Sequence, residues 1–285
     1  MAHRVDVPAA ASPWVRDLMA GPERPARVVH VGLEALYVAV RTPRGERCVG
    51  VLAARAHGVP CGLRTRLPGF APGLAAGDPA VVGDGALRAG EYVVRITRVI
   101  GVGVPRFDGD GVALVALIGA APGVAAVRAE VGGMRPEVDD WRLIVGRGSG
   151  LTPAGDDLLC GYLAARRAVG APVVDELAPD LLARTTTLSA TLLERAAAGD
   201  VLDEFAALIR AANTTRTTSA HAVPAALEAL LGIGHTSGAA LALGLASGLA
   251  LAVGPAPGVL SAAAAAGSAH RADMAQMTRT EGTRR

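Results

Sequence analysis

Gly146-Arg-Gly-Ser-Gly-Leu-Thr-Pro-Ala-Gly-Asp-Asp-Leu-Leu-Cys-Gly161 is the stretch on which the fold turns. Glycines, hydroxyls and two adjacent carboxylates stand before an apolar run, Leu158 to Ala165. Glycine lets a backbone turn tightly and approach a ligand closely. Pro153 suits the first turn of a helix, where its missing N–H costs little. The stretch therefore predicts a loop that opens a helix. Free N–H groups and the positive end of the dipole at such a point favour an anion.

Upstream of this loop the chain reads as β. Arg27 to Val31, Glu34 to Val40 and Arg47 to Leu52 are short Val-rich runs, and Thr42-Pro43-Arg44-Gly45 is a hairpin turn between two of them. Glu91 to Ile100 and Val112 to Ile118 are further strand candidates. Pro68 to Gly85 reads as loop, with Val81-Val82 and Leu87 as a short strand within or beside it. Downstream the period changes. Leu158 to Val169, Pro179 to Ala198, Leu202 to Ala212 and Pro224 to Leu231 have helical character, and the switch is placed between Ile118 and Trp141.

The expected fold class is α+β: an N-terminal β-rich domain followed by a C-terminal mainly helical domain. The expected boundaries are an extension over 1–24, the β-rich domain over 25–125, the helical domain with its glycine-rich loops over 126–268, and a disordered tail over 269–285. Asn213 to Ser219 reads as a polar loop. An echo links two parts of the helical half. Ala154-Gly-Asp-Asp-Leu-Leu-Cys-Gly161 is matched by Ser237-Gly-Ala-Ala-Leu-Ala-Leu-Gly244, and each follows a Gly-x-Gly, at Gly146 and Gly148 and at Gly232 and Gly234. Two such helix N-termini facing one another would form one polar cleft.

Composition narrows the classes. Apolar residues make up 51% of the 285, ample for a packed core, and the net charge of +2 leaves no footprint for nucleic acid or an anionic membrane. All the basic residues are arginine, which removes a P-loop lysine, a Schiff-base lysine and a lysine base from consideration. Cys48, Cys61 and Cys160 form no C-x-x-C pair, and the N-terminal residues lack a signal-peptide core, so a reducing cytoplasm is expected. No Asp, Glu, Lys or Arg occurs between Glu228 and Arg271. Its most apolar part, Ala239 to Val253, is shorter than the ~20 residues of a membrane span and reads as a buried helix.

Three groups of residues can carry chemistry. Asp156 and Asp157 suit helix capping, which accounts for one aspartate better than for two. The other then points into a cleft, to bind Mg²⁺, hold a substrate amide or act as a base. His235, beside Thr236, Ser237 and Gly238, is either structural or a donor to an oxyanion, or an acid. Arg184, Thr185, Thr186 and Ser189 form either a helix cap with surplus hydroxyls or a hydroxyl wall with an arginine clamp. No second histidine stands at zinc-ligand spacing. Gly146-x-Gly148 lacks the third glycine of a dinucleotide fingerprint, and there is no Gly-x-Ser-x-Gly elbow.

At these residues the chain resembles the bacterial AllH-type family. The 146–161 stretch is similar to its Gly-x-Gly-x-Gly-Leu-Thr-Pro-Ser-Gly-Asp-Asp loop. Arg184 to Ser189 with Leu192, Leu193 and Gly199 resembles a second block, and Gly234 to Gly238 with Leu241 and Gly244 a third; the likeness spans roughly residues 25 to 255. Ala154 stands where the family pattern has serine, and Ala240 where it has aspartate. The resemblance implies a link to oxamate carbamoyltransferase in allantoin and purine breakdown, working with FdrA-like (AllF-type) and AllG-type subunits. The implied reaction exchanges carbamoyl between oxalurate and phosphate. On that basis the expected protein binds a small anionic amide or acyl phosphate. Gly148, Ser149, Gly150, Thr152 and Gly155 would lie on the anion, Asp156 or Asp157 would orient the amide or bind Mg²⁺, and His235, Thr236 and Ser237 would stabilise an oxyanion. The alternatives are a non-catalytic structural subunit, or a stand-alone enzyme on another carbamoyl or carboxylate substrate.

Overall fold

The computed structural model describes residues 4–70, 73–213 and 221–253. The fold is α+β, with an N-terminal barrel followed by a mainly helical region. The Val-rich runs alternate in burial with a period of two, as in β3 (Ala35–Thr42), where Leu36, Val38 and Val40 face the barrel interior. The other strands are β1 (Val5–Ala11), β2 (Arg24–Val31), β4 (Gly45–Leu52), β5 (Gly62–Arg64), β6 (Pro79–Gly83), β7 (Ala86–Ala89) and β8 (Tyr92–Val99). They close in the order β1-β5-β4-β3-β2-β6-β7-β8. The β1–β8 and β4–β5 pairs are parallel and the rest antiparallel. At the predicted hairpin Thr42 pairs with Gly45, whose φ of +100° glycine adopts without strain.

Two expectations change here. Residues 1–24, expected as an extension, supply β1 and the helix α1 (Pro13–Met19), which Ser12 caps by accepting from Val15 N–H. Val112 to Ile118, expected as a strand, lies in α2 (Gly111–Gly119). Asp110 caps that helix through Ala113 N–H, and Leu114 and Ile118, four apart, are both buried. The switch from β to α thus falls after Val99 rather than after Ile118.

The remaining helices are α3 (Val124–Glu130), α4 (Trp141–Ile144), α5 (Ala154–Ala168), α6 (Pro179–Leu182), α7 (Thr187–Ala198), α8 (Asp203–Asn213), α9 (Ala222–Leu231) and α10 (Ser237–Val253). The run from Pro179 to Ala198 is two helices because Thr186 takes an extended conformation and caps α7, accepting from Ser189 N–H at 3.0 Å. Of the expected polar loop, Asn213 is the last residue of α8. The rest of that loop, 214–219, and the tail beyond 253 lie outside the described residues. Among the described residues, no single helix is long and apolar enough to cross a membrane. α10 packs against α5, α2, α3 and α9.

The echo in the sequence is a repeat in the backbone. Arg147 N–H donates to Ile144 O and Gly155 N–H to Arg147 O; equivalently, Ile233 N–H donates to Leu230 O and Gly238 N–H to Ile233 O. A Cβ on Gly155 would stand 2.1 Å from Ile144 O, and one on Gly238 2.0 Å from Leu230 O. Each unit is thus a helix end, a glycine loop and a second helix packed back on the first. The two second helices, α5 and α10, run side by side in parallel, backbone on backbone. A Cβ on Gly161 would meet Leu241 O at 2.1 Å, and one on Gly244 would meet Leu158 O at 2.0 Å. Those contacts exchange when the two units are exchanged, so the pair has an approximate two-fold relation.

The barrel docks on this helical region through β4 and α7. The Arg47 guanidinium, 7% exposed, pairs with the Glu194 carboxylate, 16% exposed. Cys48 N–H donates to Thr191 Oγ1 at 2.9 Å. Arg195 lies 4.8 Å from the centre of the Trp14 ring, a cation–π distance. Val201 N–H donates to Val102 O at 2.8 Å, tying the chain after the barrel to the start of α8.

Candidate functional site

Between barrel and helices lies a cavity of about 250 Å³. Its barrel wall includes Glu34, Tyr37 and His57; its helical wall includes Thr152, Asp157 and Ser237. Leucine and other apolar side chains from both sides fill the rest of the lining.

The parallel packing of α5 and α10 creates the polar part. Their N-termini lie next to each other, so Thr152, one residue before Pro153, meets Ser237, the first residue of α10. Thr152 Oγ1 and Ser237 Oγ are 3.0 Å apart. Asp157 lies in the first turn of α5 beside these hydroxyls and is 4% exposed. Burial pushes its carboxyl up to about 7; hydrogen bonds from Ser237 and Thr152 oppose the shift, and the neighbouring Asp156 adds to it. Its Oδ2 is buried with no hydrogen-bond partner among the described residues. A buried polar atom in that state is a candidate for contact with a ligand.

Asp156 has a different setting. Its Oδ1 accepts from Gly146 N–H at 2.7 Å, and its Oδ2 accepts from the Thr185 hydroxyl. Burial raises its pKa, while Thr185, Gly146 and Ser189 lower it. Asp156 therefore ties the glycine loop to the segment between α6 and α7. Thr186 strengthens that tie by donating to Leu151 O at 2.6 Å.

The other residues singled out in the sequence separate into groups. Gly155 and Gly238 are close-packing positions, and their N–H groups are already used by Arg147 O and Ile233 O. Gly148, Ser149 and Gly150 form an exposed loop leading to Leu151 and Thr152 at the cavity. Gly148 has φ +113°, and a Cβ there would stand 2.7 Å from Ala154 N, so only glycine fits. Arg184 is exposed and does not line the cavity; its backbone carbonyl packs on Gly146 instead. Ser189 is buried beside Asp156. His235 is exposed and Thr236 half-buried, and neither lines the cavity, although Gly234 and Ser237 on either side do.

No group of three or more His, Cys, Asp or Glu side chains able to hold a metal occurs among the described residues. For the Mg²⁺ considered from sequence, Asp157 Oδ2 is one free carboxylate oxygen among neutral hydroxyls. Glu34 is the other carboxylate on the cavity wall, so the lining offers Mg²⁺ at most two carboxylate ligands, with the rest of an octahedral shell left to water or a ligand, while Asp156 is engaged elsewhere.

Sequence reading missed the barrel side of the cavity. His57 Nδ1 lies 2.7 Å from Glu204 Oε1, a contact between residues 147 apart in the chain. Nothing local to Ala56-His-Gly-Val-Pro60 marks that histidine. The signal that exists is the loop's place between two strands that the barrel must pair.

Residues 144–249 match the family model described as oxamate carbamoyltransferase subunit AllH. The matched span runs from the end of α4 into α10, and so includes both glycine loops, both aspartates and Ser237. The barrel, with Glu34, Tyr37 and His57, lies outside it. No solved structure matches the chain.

Proposed function

We propose, on the AllH-type assignment that the match over residues 144–249 supports, that the cavity receives the carbamoyl end of a small amide and that Asp157 exchanges a proton with it. One observation carries this reading. Asp157 Oδ2 is buried without a partner on the wall of a cavity of about 250 Å³. A carboxyl near 7 suits proton transfer at ordinary pH. Protonated, it donates to a carbonyl or a leaving nitrogen; ionised, it accepts from an N–H. Thr152 and Ser237 add hydroxyls that can donate to an oxygen gaining charge.

Charge decides which end of the ligand enters. No arginine lines the cavity, and its carboxylates are Glu34 and Asp157. An uncharged –CO–NH₂ group therefore suits it better than a carboxylate or phosphate. The anionic end lies toward the exposed Gly148 to Gly150 loop. The volume equals the share of about eight waters, which suits a molecule of oxamate or oxalurate size. The reaction is carbamoyl transfer between oxalurate and phosphate in nitrogen catabolism, carried out together with FdrA-like (AllF-type) and AllG-type subunits.

Asp157→Asn tests this. With the full chain, alone and mixed with the partner subunits, phosphate-dependent oxalurate cleavage is expected to fall by about 100-fold or more. Circular dichroism and cooperative melting should be kept. Wild-type turnover in that variant overturns the reading.

A further inference from the structure

We infer that His57, held by Glu204, is the second proton-transfer group of this site, acting from the barrel wall while Asp157 acts from the helical wall. The inference rests on the carbamoyl-transfer reading above and adds a residue outside the matched family span. His57 and Asp157 line the same cavity. His57 is the one imidazole in its lining, which contains no lysine or arginine.

The geometry around His57 is that of an oriented base. Glu204 stands in the first turn of α8, and its Oε1 is 2.7 Å from His57 Nδ1. A carboxylate on one ring nitrogen holds the proton there and leaves Nε2 as an acceptor. The loop carrying His57 is itself fastened. Arg64 pairs through both terminal nitrogens with Asp203, the neighbour of Glu204. The same guanidinium donates to Gly58 O at 3.2 Å. A Cβ on Gly58 would stand 2.5 Å from Arg64 Cζ, so the glycine beside His57 leaves room for this arginine. Glu204 thus holds the imidazole against α8, Asp203 fastens its loop through Arg64, and His57 is among the residues that line the cavity.

The step balances. Hydrogen phosphate stays on the open side of the cavity, where the His57 side chain is 44% exposed, and attacks the carbamoyl carbon of oxalurate from there; a C–O bond forms as the C–N bond to the oxamate nitrogen breaks. The phosphate proton passes to His57 Nε2. The Asp157 carboxyl proton passes to the departing nitrogen, completing its NH₂. Carbamoyl phosphate and oxamate leave, and His57 returns a proton to Asp157 through solvent. No oxidant, reductant or metal enters. In this scheme His57 is a catalytic residue and Glu204 a positioning residue.

The test uses the full chain with whichever partner subunits wild-type turnover requires. His57→Ala is expected to lower kcat by about 100-fold with KM changed by less than about threefold, and added imidazole should restore part of the rate. Glu204→Gln should lower kcat by about tenfold and change the pH profile, with melting temperature unchanged. An active wild type with undiminished His57→Ala turnover overturns the His57 assignment and leaves the Asp157 reading standing. So does a loss of turnover in His57→Ala that imidazole does not restore while Glu204→Gln is fully active. A wild type that neither turns over nor binds oxalurate overturns both.

Discussion

Asp156 and Asp157 are neighbours in the chain and do opposite things. Adjacent helical residues point about 100° apart, so one carboxylate can turn into the protein while the next faces a cavity. Asp156 is fully engaged with Gly146 and Thr185, and Asp157 keeps one oxygen free. Two stability experiments follow from this. Asp156→Ala leaves a half-buried N–H and a half-buried hydroxyl without their acceptor, each loss costing about 1 kcal/mol; a fall in melting temperature is expected, and an unchanged one would contradict the tie described. Asp157 is protonated more readily folded, at about 7, than unfolded, near 3.8. Between those values the folded state binds more protons, so stability falls as pH rises through that window and levels off above it. Asp157→Asn removes the effect. Relative to that variant, wild type should lose on the order of a few kcal/mol between pH 4 and pH 8 in urea titrations. A constant difference would show that Asp157 does not titrate there. The sequence offered capping of α5 as the role of one aspartate, but Pro153 stands at the cap with no side-chain hydrogen bond, and Asp156, inside the first turn, binds Gly146 and Thr185 instead. The sequence did not indicate which one is left over, because that depends on Thr185, 29 residues away. In the same way His235 drew attention through its glycine-rich surroundings, whereas His57, in an unmarked loop, is the histidine at the cavity.

At the level of elements, the glycine echo was legible because close helix packing needs glycine at fixed positions, and a sequence displays those directly. Its meaning was less legible. Parallel packing of α5 and α10 depends on which residues meet: Thr152 with Ser237 at the start and Gly248 with Tyr162 and Ala165 further along give the direction, and Gly161 on Leu241 and Gly244 on Leu158 the closeness. Gly244→Ala is expected to destabilise the protein by about 3 kcal/mol or more, since its Cβ would overlap a backbone carbonyl. Gly119→Ala, in open space at the end of α2, should be neutral or stabilising by up to about 1 kcal/mol. Equal effects from the two, measured by urea unfolding, would rule out backbone-close packing. Val112 to Ile118 misled for a plain reason. A short apolar run with β-branched residues fits either period, and the deciding features are the Asp110 cap and the packing of α2 on α10.

Across the whole molecule, the cavity exists only because the barrel and the helices are held together. Arg47 and Glu194 are central to that hold, and both are largely buried. Glu194→Ala strands a buried guanidinium, at an expected cost of about 3–5 kcal/mol. If the seam forms the site, the same variant should also weaken oxalurate binding by calorimetry although it touches no ligand. Unchanged stability would argue against this docking. The seam was invisible in the sequence, since its contacts join residues more than a hundred positions apart. The closed barrel has one further effect. Each of its eight strands has a neighbour on both sides. The closure is tight except at β5, which pairs with β1 only at Ala10 and Ala11 and with β4 only from Gly50 to Leu52. Backbone for an added strand is therefore left mainly along the rest of β1 and β4, where Cys48 N–H is already taken by Thr191 Oγ1. A subunit that assembles elsewhere on this half recognises it through side chains and loops, and a change of partner there is a matter of surface residues rather than of backbone pairing.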